Sequence, residues 1–129
     1  MFLSTLLIAA GGAIGSVARF WLNEITLKVW GGDFPWGTII ANISGSLLIG
    51  AIAALPAFGE RDLLTRQFLM VGIMGGYTTF SSFSLQTLTM LQNGHLGKAA
   101  VNVAGSVVLC LIAVWAGYAL AASFSAAKP

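Results

Sequence analysis

The sequence predicts an all-α membrane protein, a single domain over residues 1–129 with four transmembrane helices, the third of them broken near Gly75–Thr79. Three observations carry that expectation. The chain is 57% hydrophobic and only 8% charged, against roughly 25% charged in an average soluble domain. Four apolar runs approach or exceed the roughly 20 residues that a helix needs to cross hydrocarbon. The gaps between these runs hold nearly all the charge: Glu24, Lys28 and Asp33, then Glu60, Arg61, Asp62 and Arg66, then Lys98, and finally Lys128. The net charge of +2 is small and scattered, which argues against a nucleic-acid partner, and one cysteine provides no disulfide framework.

The first run extends from about Phe2 to Leu22. No Lys or Arg precedes it, so it lacks the basic region of a signal peptide and reads as a span. Gly11 and Gly15 form a GxxxG pair, repeated by Gly12 and Ser16; such pairs let helix backbones approach closely in lipid. Arg19, near the end of this run, fits two roles: snorkelling to the interface beside Trp21, or drawing anions into a vestibule. The second run, about Thr38 to Leu55, stops at Pro56 and carries the small pairs Ala41/Gly45 and Ser46/Gly50. The third runs from about Gln67 to Leu91, with Gly72 and Gly76 as a further GxxxG pair. The fourth runs from about Ala99 to Ala122. Trp30, Trp36 and Trp115 read as interface anchors. His95 reads as a solvated loop residue, and Cys110 as a small wall residue. Short connections make neighbouring helices antiparallel.

Three of these helices carry polar stripes. Thr38, Asn42 and Ser46 recur at intervals of four on the second helix, as do Asn102, Ser106 and Cys110 on the fourth, so each set shares a face. On the third, Gly75-Gly76 leads into Thr78-Thr79-Phe80-Ser81-Ser82-Phe83-Ser84, which is five hydroxyl residues and two phenylalanines in succession. An unpaired hydroxyl in hydrocarbon costs roughly 4–8 kcal/mol, so these groups require partners or a polar path to face. Interhelical hydrogen bonding, worth about 0.6 kcal/mol per bond, is the plainer explanation for any one of them. Three aligned stripes point equally to a pathway. No Asp, Glu, Lys or His falls within a predicted membrane core, whereas proton- and cation-coupled transporters place such groups there. Hydroxyl and amide donors, with phenyl ring edges, suit a small anion.

The six basic residues divide evenly: Arg61, Arg66 and Lys128 fall on the side of the N-terminus, and Arg19, Lys28 and Lys98 toward the other. Orientation follows a bias in basic residues, and an even division permits dual topology, with two opposite copies pairing.

The motifs Gly11-Gly12-Ala13-Ile14-Gly15-Ser16-Val17-Ala18-Arg19, Gly37-Thr38-Ile39-Ile40-Ala41-Asn42-Ile43-Ser44-Gly45 and Gly75-Gly76-Tyr77-Thr78-Thr79-Phe80-Ser81-Ser82-Phe83-Ser84 give the chain a resemblance to the CrcB/Fluc family of bacterial fluoride channels over nearly its whole length. The resemblance implies an antiparallel homodimer in the bacterial inner membrane, with two fluoride pores and a central structural sodium ion (Na+) that is not transported. Carried onto this sequence, it makes the backbone carbonyls of Gly75 and Thr78 the sodium ligands and Phe80 and Phe83 the pore phenylalanines. Asn42, Thr79, Ser82, Asn102 and Ser106 would lie along the fluoride path, with Cys110 on the pore side of the fourth helix and Arg19 in the vestibule. Many relatives carry Thr where this chain has Ser82. A small dual-topology multidrug antiporter shares this size and charge balance but requires a membrane Glu in the first helix, which is missing. A non-transporting membrane adaptor would be held together by the same stripes. An enzyme finds no nucleophile–base pair or metal set.

Overall fold

The computed structural model describes residues 1–55 and 62–126. It is all-helical among them, with four apolar helical spans: Phe2–Trp30, Trp36–Ala54, Leu63–Gln92 and Leu96–Ala126. We label Phe2–Trp30 α1 and Trp36–Ala54 α2. The third span has two parts. The first, α3, covers residues 63–77: Leu63–Arg66 is α-helical, Gln67–Met74 widens into π-helical turns, and Gly75–Tyr77 returns to α geometry. The second, α4, is Phe80–Gln92, and the last span, Leu96–Ala126, is α5. Pro56, Glu60, Arg61 and Lys128 lie outside the described residues, so the expected proline stop and two of the six basic residues in the expected charge division are not located.

Several expected boundaries change. The first helix does not stop near Leu22 but continues to Trp30, so Glu24 and Lys28 stand on the helix rather than in a gap. Lys28 lies in its last turn, where a cation is favoured by the free carbonyls and the helix dipole. Gly31, with φ of 75°, then turns the chain, its N–H bonding to Leu27 O at 2.9 Å. The last helix also extends past both predicted ends, to Leu96 and Ala126. Between α4 and α5 the turn is tight: Gly94 takes a φ of 76°, and the N–H of His95 bonds to Met90 O at 2.8 Å. Trp30 and Trp36 meet edge-to-face across the α1–α2 corner, with ring centroids 6.0 Å apart, as suits aromatic residues gathered at one interface.

Small residues decide which helices touch. Gly11 and Gly15 of α1 lie against the α3 backbone: a side chain at Gly11 would meet Phe68 O at 2.6 Å, and one at Gly15 would run into Ile73 O. Gly72 and Gly76 make the reciprocal approach to Gly11 and Gly12. The predicted GxxxG pairs therefore face each other in one contact. Packing of α2 on α5 is as extensive as that of α1 on α3; there Gly50 sits on Val114 O and Gly117 on Leu47 O.

Candidate functional site

Helical geometry lapses at two residues of the third span. Thr78 has φ −81° and ψ 157°, and Thr79 has φ −152° and ψ 118°; both are extended. Gly75 remains helical at φ −62°, ψ −37°, and Gly76 is helical beside it. Of the two glycines at the expected break, Gly76 serves the α1 contact and Gly75 is exposed, while the threonines carry the extended backbone. Asn42 of α2 meets the second threonine with both ends of its amide. Its Oδ1 accepts from Thr79 N–H at 2.7 Å, and its Nδ2 donates to Thr79 O at 3.1 Å. The Thr79 hydroxyl then caps α4, accepting from Ser82 N–H at 3.2 Å, as an N-cap threonine does. Thr78 Oγ1 donates back to Met74 O at 3.0 Å. As a result, the two N–H groups that would close helical turns onto the carbonyls of Gly75 and Thr78 are spent elsewhere, Thr79 N–H on Asn42 and Ser82 N–H on Thr79 Oγ1.

Beside this segment lies a cleft of about 440 Å³, lined by Asn42, Ser46, Gly75, Thr78, Thr79, Phe80, Phe83, Ser106 and Cys110, with Met70, Met74 and other apolar residues. Among its lining residues none is Asp, Glu, Lys, Arg or His. A second cavity of about 650 Å³ opens toward the α1–α2 and α4–α5 corners, lined by Asn23, Glu24, Asp33, Thr38, Gln86, His95 and Lys98 among others. The stripes join the two. On α2, Thr38 lines the outer cavity while Asn42 and Ser46 line the cleft. On α4, Gln86 lines the cavity while Phe83 and Phe80 line the cleft. On α5, Lys98 lines the cavity while Ser106 and Cys110 line the cleft, with Asn102 one turn from each neighbour in between.

Several polar atoms along this seam are buried without a hydrogen-bond partner among the described residues: Thr38 Oγ1, Gln86 Oε1, Asn102 Oδ1 and Ser106 Oγ. Buried polar atoms are nearly always paired, so these four oxygens are free to take a water or an ion. Asn102 is fully buried and donates from Nδ2 to Thr87 Oγ1 at 2.8 Å, linking α5 to α4. Phe80 and Phe83 pack with centroids 5.3 Å apart, yet Phe83 is 8% exposed and Phe80 79%. Ser82 is half-buried and receives the Thr79 hydroxyl at 3.1 Å; it does not line the cleft. Arg19 is half-buried and lines neither cavity. With α1 continuing to Trp30, it stands well inside the helix, one turn past Gly15, rather than near an end.

Sequence reasoning missed Gln86, Thr87 and the pair Ser44–Tyr77, whose hydroxyls lie 2.9 Å apart. Gln86 had a signal, since Phe80, Phe83 and Gln86 recur at intervals of three. Ser44 had none, being off the α2 stripe. The π-helical segment also has no signature in residue type.

Four helices long and apolar enough to cross a membrane, three of which line a cleft without charged side chains, define a multi-pass membrane protein. The chain belongs to the CrcB family: residues 6–118 match the family described as "CrcB-like protein, Camphor Resistance (CrcB)". It is 50% identical over 126 residues to the "Fluoride-specific ion channel FluC" of Opitutus terrae, covering 95% of this chain and 96% of that one. It is 55% identical over 116 residues to the protein of the same name from Rhodospirillum rubrum, covering 88% and 90%. A third of that name, from Methylocella silvestris, is 45% identical over 124 residues, covering 94% and 95%. The family is one of ion channels, not enzymes.

Proposed function

We propose that this protein is a fluoride-selective channel of the bacterial inner membrane that lets fluoride leave the cytoplasm passively. The observation that carries this reading is the seam itself. Three polar stripes run from the outer cavity into a cleft without acidic or basic side chains, and close relatives bear the name of fluoride channels. Fluoride is small and tightly hydrated, so a pore must replace its water with closely spaced donors. The hydroxyls of Thr38 and Ser106, free of partners, supply such donors. Phe83, in the wall of the cleft, offers a positive ring edge to an anion. Asn42 keeps one amide hydrogen beyond the one given to Thr79. Arg19 supplies the positive potential that draws the anion in.

The working unit on this reading is an antiparallel homodimer. Gly75, Phe80, Ser81 and Ser84 are exposed on one protomer, the two serine hydroxyls being paired locally with Thr79 Oγ1 and Phe80 O. A second, inverted copy covers them and places Phe80 in a pore wall. The carbonyls of Gly75 and Thr78, whose helical donors are diverted, fit a sodium ion, since cations at membrane depth are held by carbonyls of unwound backbone. That ion, when bound, supplies fixed positive charge and ties the two protomers together. Because the ligands are backbone atoms, Thr78→Ser retains sodium binding; a folded Thr78→Ser protein that no longer binds sodium argues against this ligand set.

The test is fluoride efflux from liposomes containing the purified protein, read with a fluoride electrode. Rapid fluoride efflux with negligible chloride efflux is expected. Absence of fluoride flux from a folded, reconstituted dimer leaves the adaptor reading instead. Cysteine introduced at His95 in a Cys110-free background should label from both sides of intact membranes; labelling from one side only removes dual topology.

A further inference from the structure

The hydrogen bonds at the extended threonines carry one step more. We infer that Asn42 is a positioning residue for the cation site: its side chain holds the Gly75 and Thr78 carbonyls out of helical bonding. The inference rests on the sodium reading above.

In a continuous helix the N–H of residue 79 would close on the carbonyl of residue 75. Here Asn42 Oδ1 takes that N–H at 2.7 Å, and Nδ2 holds Thr79 O at 3.1 Å. An amide side chain bonding both polar atoms of one residue imitates the exchange between paired strand residues, and Thr79 accordingly has strand dihedrals, φ −152° and ψ 118°. Held so, Thr79 turns its hydroxyl to Ser82 N–H, which removes the donor of the Thr78 carbonyl. One side chain on α2 thus sets both freed carbonyls, the first directly and the second through Thr79. Thr79 is 7% exposed, so water does not substitute for the amide. Next to it, Gly45 admits the Thr78 methyl group, and Ser44 meets the Tyr77 hydroxyl at 2.9 Å. The same stretch of α2 therefore seats residues 77–79 as a unit.

This separates two roles for Asn42. As a donor in the pore wall alone, it affects fluoride passage and leaves sodium affinity untouched. As the bracket of the extended segment, it sets sodium affinity even with no fluoride present. The experiment is the thermal midpoint of the purified full-length protein in detergent, without fluoride, titrated with sodium chloride against N-methylglucamine chloride at constant ionic strength. Losing two hydrogen bonds, each modest in net effect, raises the half-saturating sodium concentration about tenfold in Asn42→Ala. Asn42→Leu, close in volume and able to fill the site if the alanine variant fails to fold, shifts it similarly. Asn42→Asp keeps the acceptor for Thr79 N–H, so its shift is smaller. A sodium-responsive parent whose Asn42→Ala and Asn42→Leu variants keep the parental half-saturation overturns the bracket alone. A parent without any sodium response overturns both the sodium reading and this one.

Discussion

Where α1 meets α3, the two backbones touch; where α2, α4 and α5 meet, polar side chains stand between them. The first seam is made of Gly11, Gly12, Gly15, Gly72 and Gly76, each approaching carbonyl or Cα atoms of the opposite helix. The second holds Thr38, Asn42, Gln86, Asn102 and Ser106, with two cavities and several unpartnered oxygens. Both draw on small and polar residues, which pack membrane helices in general. The difference is in what is left over. The glycine seam spends its glycines on backbone contact, and on α3 a single side-chain oxygen, Gln67 Oε1, is buried without a partner among the described residues. The other leaves oxygens that only water or an ion can satisfy. Small residues alone report packing, and buried oxygens without partners report a path.

The contrast is open to attack, beginning with the largest effect. Gly15→Leu would drive a branched side chain into Ile73 O and Tyr77 N, so loss of the monodisperse protein on size exclusion is expected, beyond the roughly 1–3 kcal/mol of ordinary overpacking. A well-folded Gly15→Leu protein would mean that the glycine seam is loose. Next, Phe83→Ile should lower fluoride efflux at least about tenfold, as removal of a contact made at the barrier does, while folding survives; unchanged flux would take the ring out of the pore wall. A smaller effect is expected for Ser106→Ala. Its Oγ has no partner, so deletion strands nothing and should move stability by less than about 0.5 kcal/mol while slowing efflux several-fold. An equal loss of stability and flux would show a hidden structural bond and blur the distinction between the seams.

The smallest effect belongs outside the membrane. The Thr65 hydroxyl, and secondarily its backbone N–H, hold the Asp62 carboxyl below its usual range. A folded-state pKa depressed in this way gives stability that is present above the unfolded carboxylate pKa and lost as pH falls through the folded one. Acidification should therefore fray the first turn of α3 slightly, and Asp62→Asn should abolish that acid response in hydrogen exchange without altering efflux.

Much of this architecture was legible because lipid narrows the choices. Apolar length gave the four spans, and spacing of four placed Thr38, Asn42 and Ser46 on one face and Asn102 and Ser106 on another. Gly11 and Gly15 announced a close contact, and Gly72 and Gly76 its other half. The end of α1 was not legible, because Asn23, Glu24 and Lys28 look like a loop yet continue the helix where it emerges toward water. The break expected near Gly75–Thr79 falls at the threonine end of that range: glycine permits extended backbone but also permits contact, and only the partner of Thr79 N–H decides between them. Ala113, Gly117 and Ala121, spaced by four and buried, carried a packing signal of the same kind as GxxxG that went unread.

The wide turns of Gln67–Met74 act as a phase setting. An α-helix advances about 100° per residue, so the residue absorbed by wider winding decides the bearing at which the chain reaches Tyr77. With that residue removed and the α pitch restored, every side chain beyond it would point about a quarter-turn away. Phe80 and Phe83 would leave the cleft, and Thr79 would no longer meet Asn42. The angle from which Phe80 and Phe83 face the cleft is thus written upstream, in the wide turns that end at Met74, whose carbonyl accepts from Thr78 Oγ1 beside the cleft.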